Sequence, residues 1–288
     1  TTSSYQGEGG LHQAYVGLGW KPVGNLSVGV NASFIWGTYT HAMAQTFTEG
    51  ETSSTAYSGL NSEHSAHLKT YKIDLGAQYP IRLNPENWLT VGVTVGLGHK
   101  IKSDAVLSRY TSVGDSTQVT AKSPFDLPYT YGGGLAWQHK NTLLVAADYK
   151  YENWGDCRTP HSSTESGELT YFGAKGDYKN RSRFAVGAQY TPDPTDKRYV
   201  KRMQYRVGAN YSTPYLRVNG IDGPSDMTVS AGLGLPVSNK YNNRSMINLN
   251  LQWLRRKPSS ASLITENYFM VNVGFTFNEN WFMKFKIQ

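Results

Sequence analysis

Charge, cysteine and long apolar runs are all scarce in this sequence. Only 17% of its 288 residues are charged, against about 25% in an average soluble domain, yet the mean hydropathy is negative at -0.49. The single cysteine, Cys157, excludes a disulfide scaffold and any cysteine-based zinc or iron–sulfur site. No window of about 18 consecutive apolar residues occurs, which excludes a membrane protein built on helices. The chain opens Thr1-Thr2-Ser3-Ser4-Tyr5, without the charged and apolar regions of a signal peptide. Low charge combined with 13% aromatic residues argues against disorder. An all-β protein remains.

What the sequence does have is strict alternation, the mark of a strand with two unlike faces. Leu26, Val28, Val30, Ala32, Phe34 and Trp36 alternate with Ser27, Gly29, Asn31 and Ser33. Near the end, Phe269, Val271, Val273, Phe275 and Phe277 alternate with Met270, Asn272, Gly274 and Thr276. Eleven such segments are legible, at 11–21, 26–46, 67–82, 88–110, 125–139, 142–154, 179–191, 203–216, 227–237, 245–257 and 267–278. Short connections alternate with long polar ones around 47–66, 111–124, 155–178, 217–226 and 258–266. This pattern predicts a transmembrane, antiparallel, up-and-down β-barrel, with short turns in the periplasm and long loops outside the cell. Trp20, Trp88, Trp137 and Phe277 at the short-turn ends, with Trp36 and Trp253 toward the loop ends, form two aromatic belts at the membrane interfaces. A soluble sandwich or lectin-like barrel also alternates, but needs no such belts beside its aliphatic residues.

The face opposite the aliphatic residues is small and polar. Lys72, Asp74, Asp148, Lys150, Glu152 and Arg206 fall on it, and a mixed-sign lumen network is expected of them. Gly92, Gly96, Gly132 and Gly134 also fall there, and glycine weakens a strand unless something approaches closely or the wall bends. They are candidate contacts of a luminal plug or of a kinked strand; relief of crowding on a concave wall is the alternative.

No catalytic constellation is legible. His64-Ser65-Ala66-His67 is the one His/Ser cluster, and it is expected to be solvated where a loop meets a strand. The seven histidines lack metal-ligand spacing beyond that pair, and no cofactor is implied. Gly96-Leu97-Gly98-His99-Lys100 superficially suggests a phosphate loop, but it sits inside an alternating segment with no following helix. The net charge of +7 is scattered, including Arg255-Arg256-Lys257 and Lys197 to Arg202. Its expected partners are membrane lipid phosphates or lipopolysaccharide, not nucleic acid.

Several stretches resemble the FadL-like outer-membrane proteins of Bacteroidota. These are Gly7-Glu8-Gly9-Gly10-Leu11-His12-Gln13-Ala14-Tyr15-Val16-Gly17-Leu18-Gly19-Trp20-Lys21-Pro22 with the following Leu26 to Ser33, Tyr205 to Tyr211, Gly232-Leu233-Gly234-Leu235-Pro236, and the tail Tyr268 through Phe282. The resemblance implies an outer-membrane barrel of fourteen strands with an N-terminal plug, in a Gram-negative bacterium. Members of that family carry hydrophobic molecules inward, and other relatives serve as subunits of secretion or barrel-assembly machines. The plug and first strands of such proteins have no counterpart here, so no ligand residue carries over.

Residues 1–288 therefore read as one barrel domain lacking its plug and first three strands, with an open gap expected beside the first strand. Two functions follow. One is passive uptake of a hydrophobic ligand through the lumen. The other is a non-transporting subunit or anchor of an outer-membrane complex, whether barrel-assembly, secretion or surface-lipoprotein machinery, with Phe47–His67 and Gly155–Lys179 as contact loops. The Asn278–Gln288 tail, with Trp281, Phe282 and Phe285, is expected at the periplasmic interface.

Overall fold

The computed structural model describes residues 2–46, 59–165, 167–218, 220–237, 245–260 and 264–276. The strands in chain order are β1 (Thr2–Trp20), β2 (Ser27–Thr46), β3 (Gly59–Asn84), β4 (Asn87–Gly96), β5 (His99–Ile101), β6 (Ala105–Thr111) and β7 (Ser116–Ala121). Then come β8 (Phe125–Leu127), β9 (Thr130–His139), β10 (Leu143–Glu152), β11 (Thr159–Glu165), β12 (Glu168–Ala174) and β13 (Arg181–Tyr190). A helical turn, α1 (Tyr199–Arg202), precedes β14 (Gln204–Ser212), β15 (Arg217–Val218), β16 (Ile221–Asp222), β17 (Ser225–Val237), β18 (Ser245–Lys257) and β19 (Glu266–Thr276).

Eleven of these strands form one antiparallel wall in the order β1-β2-β3-β4-β9-β10-β13-β14-β17-β18-β19, each beside its predecessor. Among the described residues β1 pairs only with β2 and β19 only with β18, so the sheet is not closed. The register aligns the apolar sets: Leu18 lies opposite Val30, Val30 opposite Leu75, and Leu75 opposite Val95. Their face is bare, with Trp20 68% and Phe269 81% exposed. An apolar surface of this extent far exceeds what a water-soluble monomer exposes. It belongs in lipid, where the ladder already pairs the backbone groups.

The long-loop side departs from the sequence reading in several ways. The segment 88–110 is not one strand: it breaks into β4, β5 and β6. The break lies at Gly98, where a Cβ would come within 2.7 Å of the Leu127 carbonyl oxygen and 2.5 Å of the Tyr129 nitrogen. The glycine-rich stretch that begins at Gly96 is thus a tight backbone crossing, not the interior of a strand. On this side of β3 the ladder is interrupted between Ala66 and Asp74. Side chains fill the interval: Ser103 Oγ accepts from the Lys69 amide at 3.0 Å, and Thr70 Oγ1 lies 2.8 Å from His99 Nε2.

The expected loops also carry structure. β1 begins at Thr2, not near residue 11, and β3 begins at Gly59 inside the expected 47–66 loop. β6 adds to β3 and β7 to β6, while β11–β12 form a hairpin inside 155–178. The small residues Ala66, Ala105 and Ala121 let these layers close around Leu107, which is 0% exposed, with Leu68, Ile101 and Tyr171 completing the core. Tyr39, Val119, Phe125, Leu127 and Leu169 pack against it. Burying a leucine is worth about 1.5–3 kcal/mol. Among the described residues the buried apolar cluster therefore sits beyond the membrane wall, in a folded cap at the loop end.

Candidate functional site

The lumen face of the wall is the first candidate, and the register explains its glycines. Gly134 pairs with Asp148, Gly132 with Thr94, and Gly96 with both Asp74 and Thr130. A Cβ at Gly134 would meet Asp148 Oδ1, at Gly132 Thr94 Oγ1, and at Gly96 Thr130 Oγ1, all within 2.4 Å. The same arrangement joins Gly17 to Asn31 and Gly232 to Asn250. Each glycine makes room for a polar side chain from the next strand to lie flat along the wall. Gly92 differs, its nearest neighbour being the Ala77 carbonyl at 3.9 Å. No plug segment approaches these four glycines among the described residues; neighbouring side chains occupy the space at three of them. Close backbone approach occurs elsewhere: at Gly37 a Cβ would meet the Gly10 carbonyl oxygen, and Gly9, at φ +112°, faces Thr38 in the same way.

Among the described residues the six charged lumen residues do not form one network. Lys72 pairs with Asp74 at 2.5 Å and Lys150 with Glu152 at 3.0 Å, each two residues apart on one strand. Trp154 Nε1 donates to Glu152 at 3.1 Å. Asp148 lies over Gly134. Arg206 is held by three amide oxygens and a thioether: Nε donates to Gln189 at 2.9 Å, Nη1 to Asn248 at 2.8 Å, and Nη2 to Gln204 and to Met246 Sδ at 3.7 Å. Alternation cannot reveal this, because it fixes the face of a residue and not which neighbour its head reaches.

Of the aromatic residues, Trp20, Trp36, Trp137 and Trp253 share register with the lipid-facing set. Trp36 stacks on Phe34 with centroids 5.5 Å apart. Trp88 stands instead on the lumen side, opposite Arg82 and Gln138, with the Arg82 guanidinium 5.7 Å from its ring centre. The alternation of Leu89, Val91 and Val93 on the outer face requires this. Phe277 and the 278–288 tail lie outside the described residues.

The cap is the second candidate. His64 is in β3, not a solvated loop, and its Nδ1 lies 3.2 Å from the Tyr171 hydroxyl, tying the β11–β12 hairpin to the sheet. Burial, helped by Arg109 and His41, pushes the His64 pKa below its ordinary 6.5. Asp126 accepts from Arg158 Nε at 2.8 Å, Nη2 at 2.6 Å and the Arg158 backbone at 3.0 Å. Burial opposes ionisation of Asp126, but these donors outweigh it and hold its carboxyl below the usual range. Cys157 is a free thiol that is only 3% exposed. Burial pushes its pKa to about 11, which keeps it a thiol.

The BamG family model matches residues 1–288, the whole length of the sequence. The chain belongs to the BamG family. Among solved structures it is similar to the toluene transporter TbuX of Ralstonia pickettii, with TM-score 0.62 and 14% identity over 93% of this chain and 67% of TbuX. The toluene transporter TodX of Pseudomonas putida gives TM-score 0.58 and 16% identity over 91% and 67% of the two chains. A FadL homologue of Pseudomonas aeruginosa gives TM-score 0.58 and 12% identity over 88% and 61%. Searched against curated proteins, the sequence matches none. This BamG-family chain thus has the FadL-like fold and is an outer-membrane β-barrel protein of a Gram-negative bacterium.

Proposed function

We propose that the chain is a non-transporting barrel subunit of an outer-membrane protein complex, with the cap as its contact surface for protein partners. The observation that carries this reading is the location of the core. Leu107, Ala105 and Ala121 are almost fully buried in the extramembrane layers, whereas among the described residues the lumen wall builds no apolar core. Rigid, pre-packed surfaces bind partners with less ordering cost than loose loops. The barrel-assembly role is the one that the BamG match fits. The lumen supports this reading as well. A solute there meets glycines with Asn31, Asp74, Gln78, Thr90, Thr94 and Lys150, whereas an apolar ligand is recognised by converging apolar side chains.

Passive uptake of a hydrophobic small molecule is the second reading, favoured by the fold shared with the toluene transporters. Mild detergent extraction followed by mass spectrometry separates the two: stoichiometric protein partners support the first, and a bound apolar molecule without protein supports the second. In either reading we propose that strands outside the described residues close the open edges β1 and β19. An experimental map in which β1 pairs directly with β19 would refute that closure.

A further inference from the structure

On the short-turn side the described connections at 21–26, 85–86 and 140–142 are tight turns, while residues 191–203 form a folded loop containing α1. Its two acids are spent internally. Asp193 Oδ1 accepts from the Thr195 amide at 2.8 Å and hydroxyl at 2.7 Å. Asp196 accepts from the Arg198 amide at 2.8 Å and pairs with Lys201 at 2.9 Å. The Asp193 amide donates to the Lys201 carbonyl at 2.9 Å, which closes the loop on itself.

The loop then folds back on the lipid side of the wall. Tyr205 shares register with Tyr190 and Leu233 on the lipid-facing set, and its hydroxyl donates to the Val200 carbonyl at 3.1 Å. This places α1 beside the periplasmic aromatic belt, with Val200 62% exposed next to it. Around Val200 stand Lys197, Arg198 and Arg202. The Arg198 side chain is 73% exposed, its Nε 3.6 Å from Asp196 Oδ1, and the Arg202 guanidinium sits 5.5 Å from the Tyr199 ring centre with no hydrogen-bond partner for its Nε among the described residues. Four bases against two acids leave the loop with an excess of two positive charges (4 − 2 = 2) at headgroup depth.

We propose that the 191–203 loop binds the phosphate of an anionic phospholipid in the periplasmic leaflet, through Lys197, Arg198 and Arg202, with Val200 set among the upper acyl carbons. An acidic protein would find the same cations, but it would have no use for an apolar residue and a tyrosine hydroxyl held against the lipid-facing belt. The test uses the full-length protein in nanodiscs of phosphatidylcholine with a minor share of phosphatidylglycerol, the retained lipids being counted by native mass spectrometry. Each basic residue near a membrane surface contributes about a fivefold preference for anionic lipid. Lys197→Gln, Arg198→Gln and Arg202→Gln should therefore each lower the retained phosphatidylglycerol about fivefold relative to phosphatidylcholine, less at high salt. Lys175→Gln, in the outer loops, should change nothing. An unchanged lipid ratio in the triple variant overturns the proposal. So does loss of a co-purifying periplasmic protein with lipid retention unaltered.

Discussion

Leu107→Ala is the perturbation that separates the cap from the wall. Leu107 is 0% exposed and lies in β6, with His64 of β3 and Val119 of β7 as its register partners. Truncating a fully buried leucine costs about 3 kcal/mol, from lost transfer energy and the cavity left behind. That cost falls mainly on the cap, because among the described wall strands only β2, through Tyr39, and β3 reach this cluster and the wall is held by its own ladder. The population of opened cap should rise by about a hundredfold. When opening is fast relative to cleavage, protease susceptibility follows that population. Trypsin added to purified protein in detergent should therefore cut at Arg109 and Lys122 about a hundredfold faster than in the parent, while the folded wall keeps its heat-modifiable mobility on SDS gels. Equal cutting rates would show that the cap core does not hold these layers. Simultaneous loss of heat-modifiability would show that cap and wall are one cooperative unit.

Other outcomes follow from the same geometry. The His64 pKa is lowered in the folded cap, so the unfolded cap binds the proton more readily and stability falls as pH drops below about 6.5; proteolysis of the β11–β12 hairpin should rise there, and His64→Gln should abolish that step. Asp126 is lowered too, so its contribution is lost at still lower pH, below the ordinary carboxylate value of 3.8; Asp126→Asn should flatten the acid limb of a cap-melting curve. Gly37→Ala, which drives a Cβ into the Gly10 backbone, should cost the wall about 1–3 kcal/mol by overpacking, whereas Gly134→Ala displaces only the Asp148 carboxylate and should cost clearly less in a heat-modifiability series. Arg206→Ala should lower the melting temperature while leaving single-channel conductance in planar bilayers unchanged, because the guanidinium binds wall amides and not a passing ion.

The wall was legible in the sequence because lipid imposes a period of two on every strand. Residues such as Val28, Val30 and Phe34 could only share a face, and all eleven wall strands announce themselves this way. The cap was not legible for the converse reason. Its core is assembled from alanines at 66, 105 and 121 around Leu107, with Leu68, Ile101 and Tyr171, drawn from segments far apart in sequence, and β7 carries only Val119 as a large aliphatic residue. No local period marks such a cluster. The glycines show a third limit: their spacing is visible in the sequence, but their purpose depends on which polar residue the register sets opposite. Gly134 and Asp148 are fourteen positions apart (148 − 134 = 14), and only the β9–β10 pairing brings them together.

The central claim, that this barrel serves a complex and not a solute, is tested most directly by depleting the protein in its native bacterium. The readout is the amount of folded outer-membrane protein and surface lipoprotein, measured alongside uptake of an apolar compound such as toluene. Folded outer-membrane protein or surface lipoprotein should fall before uptake changes. Normal levels of both with impaired uptake would contradict it.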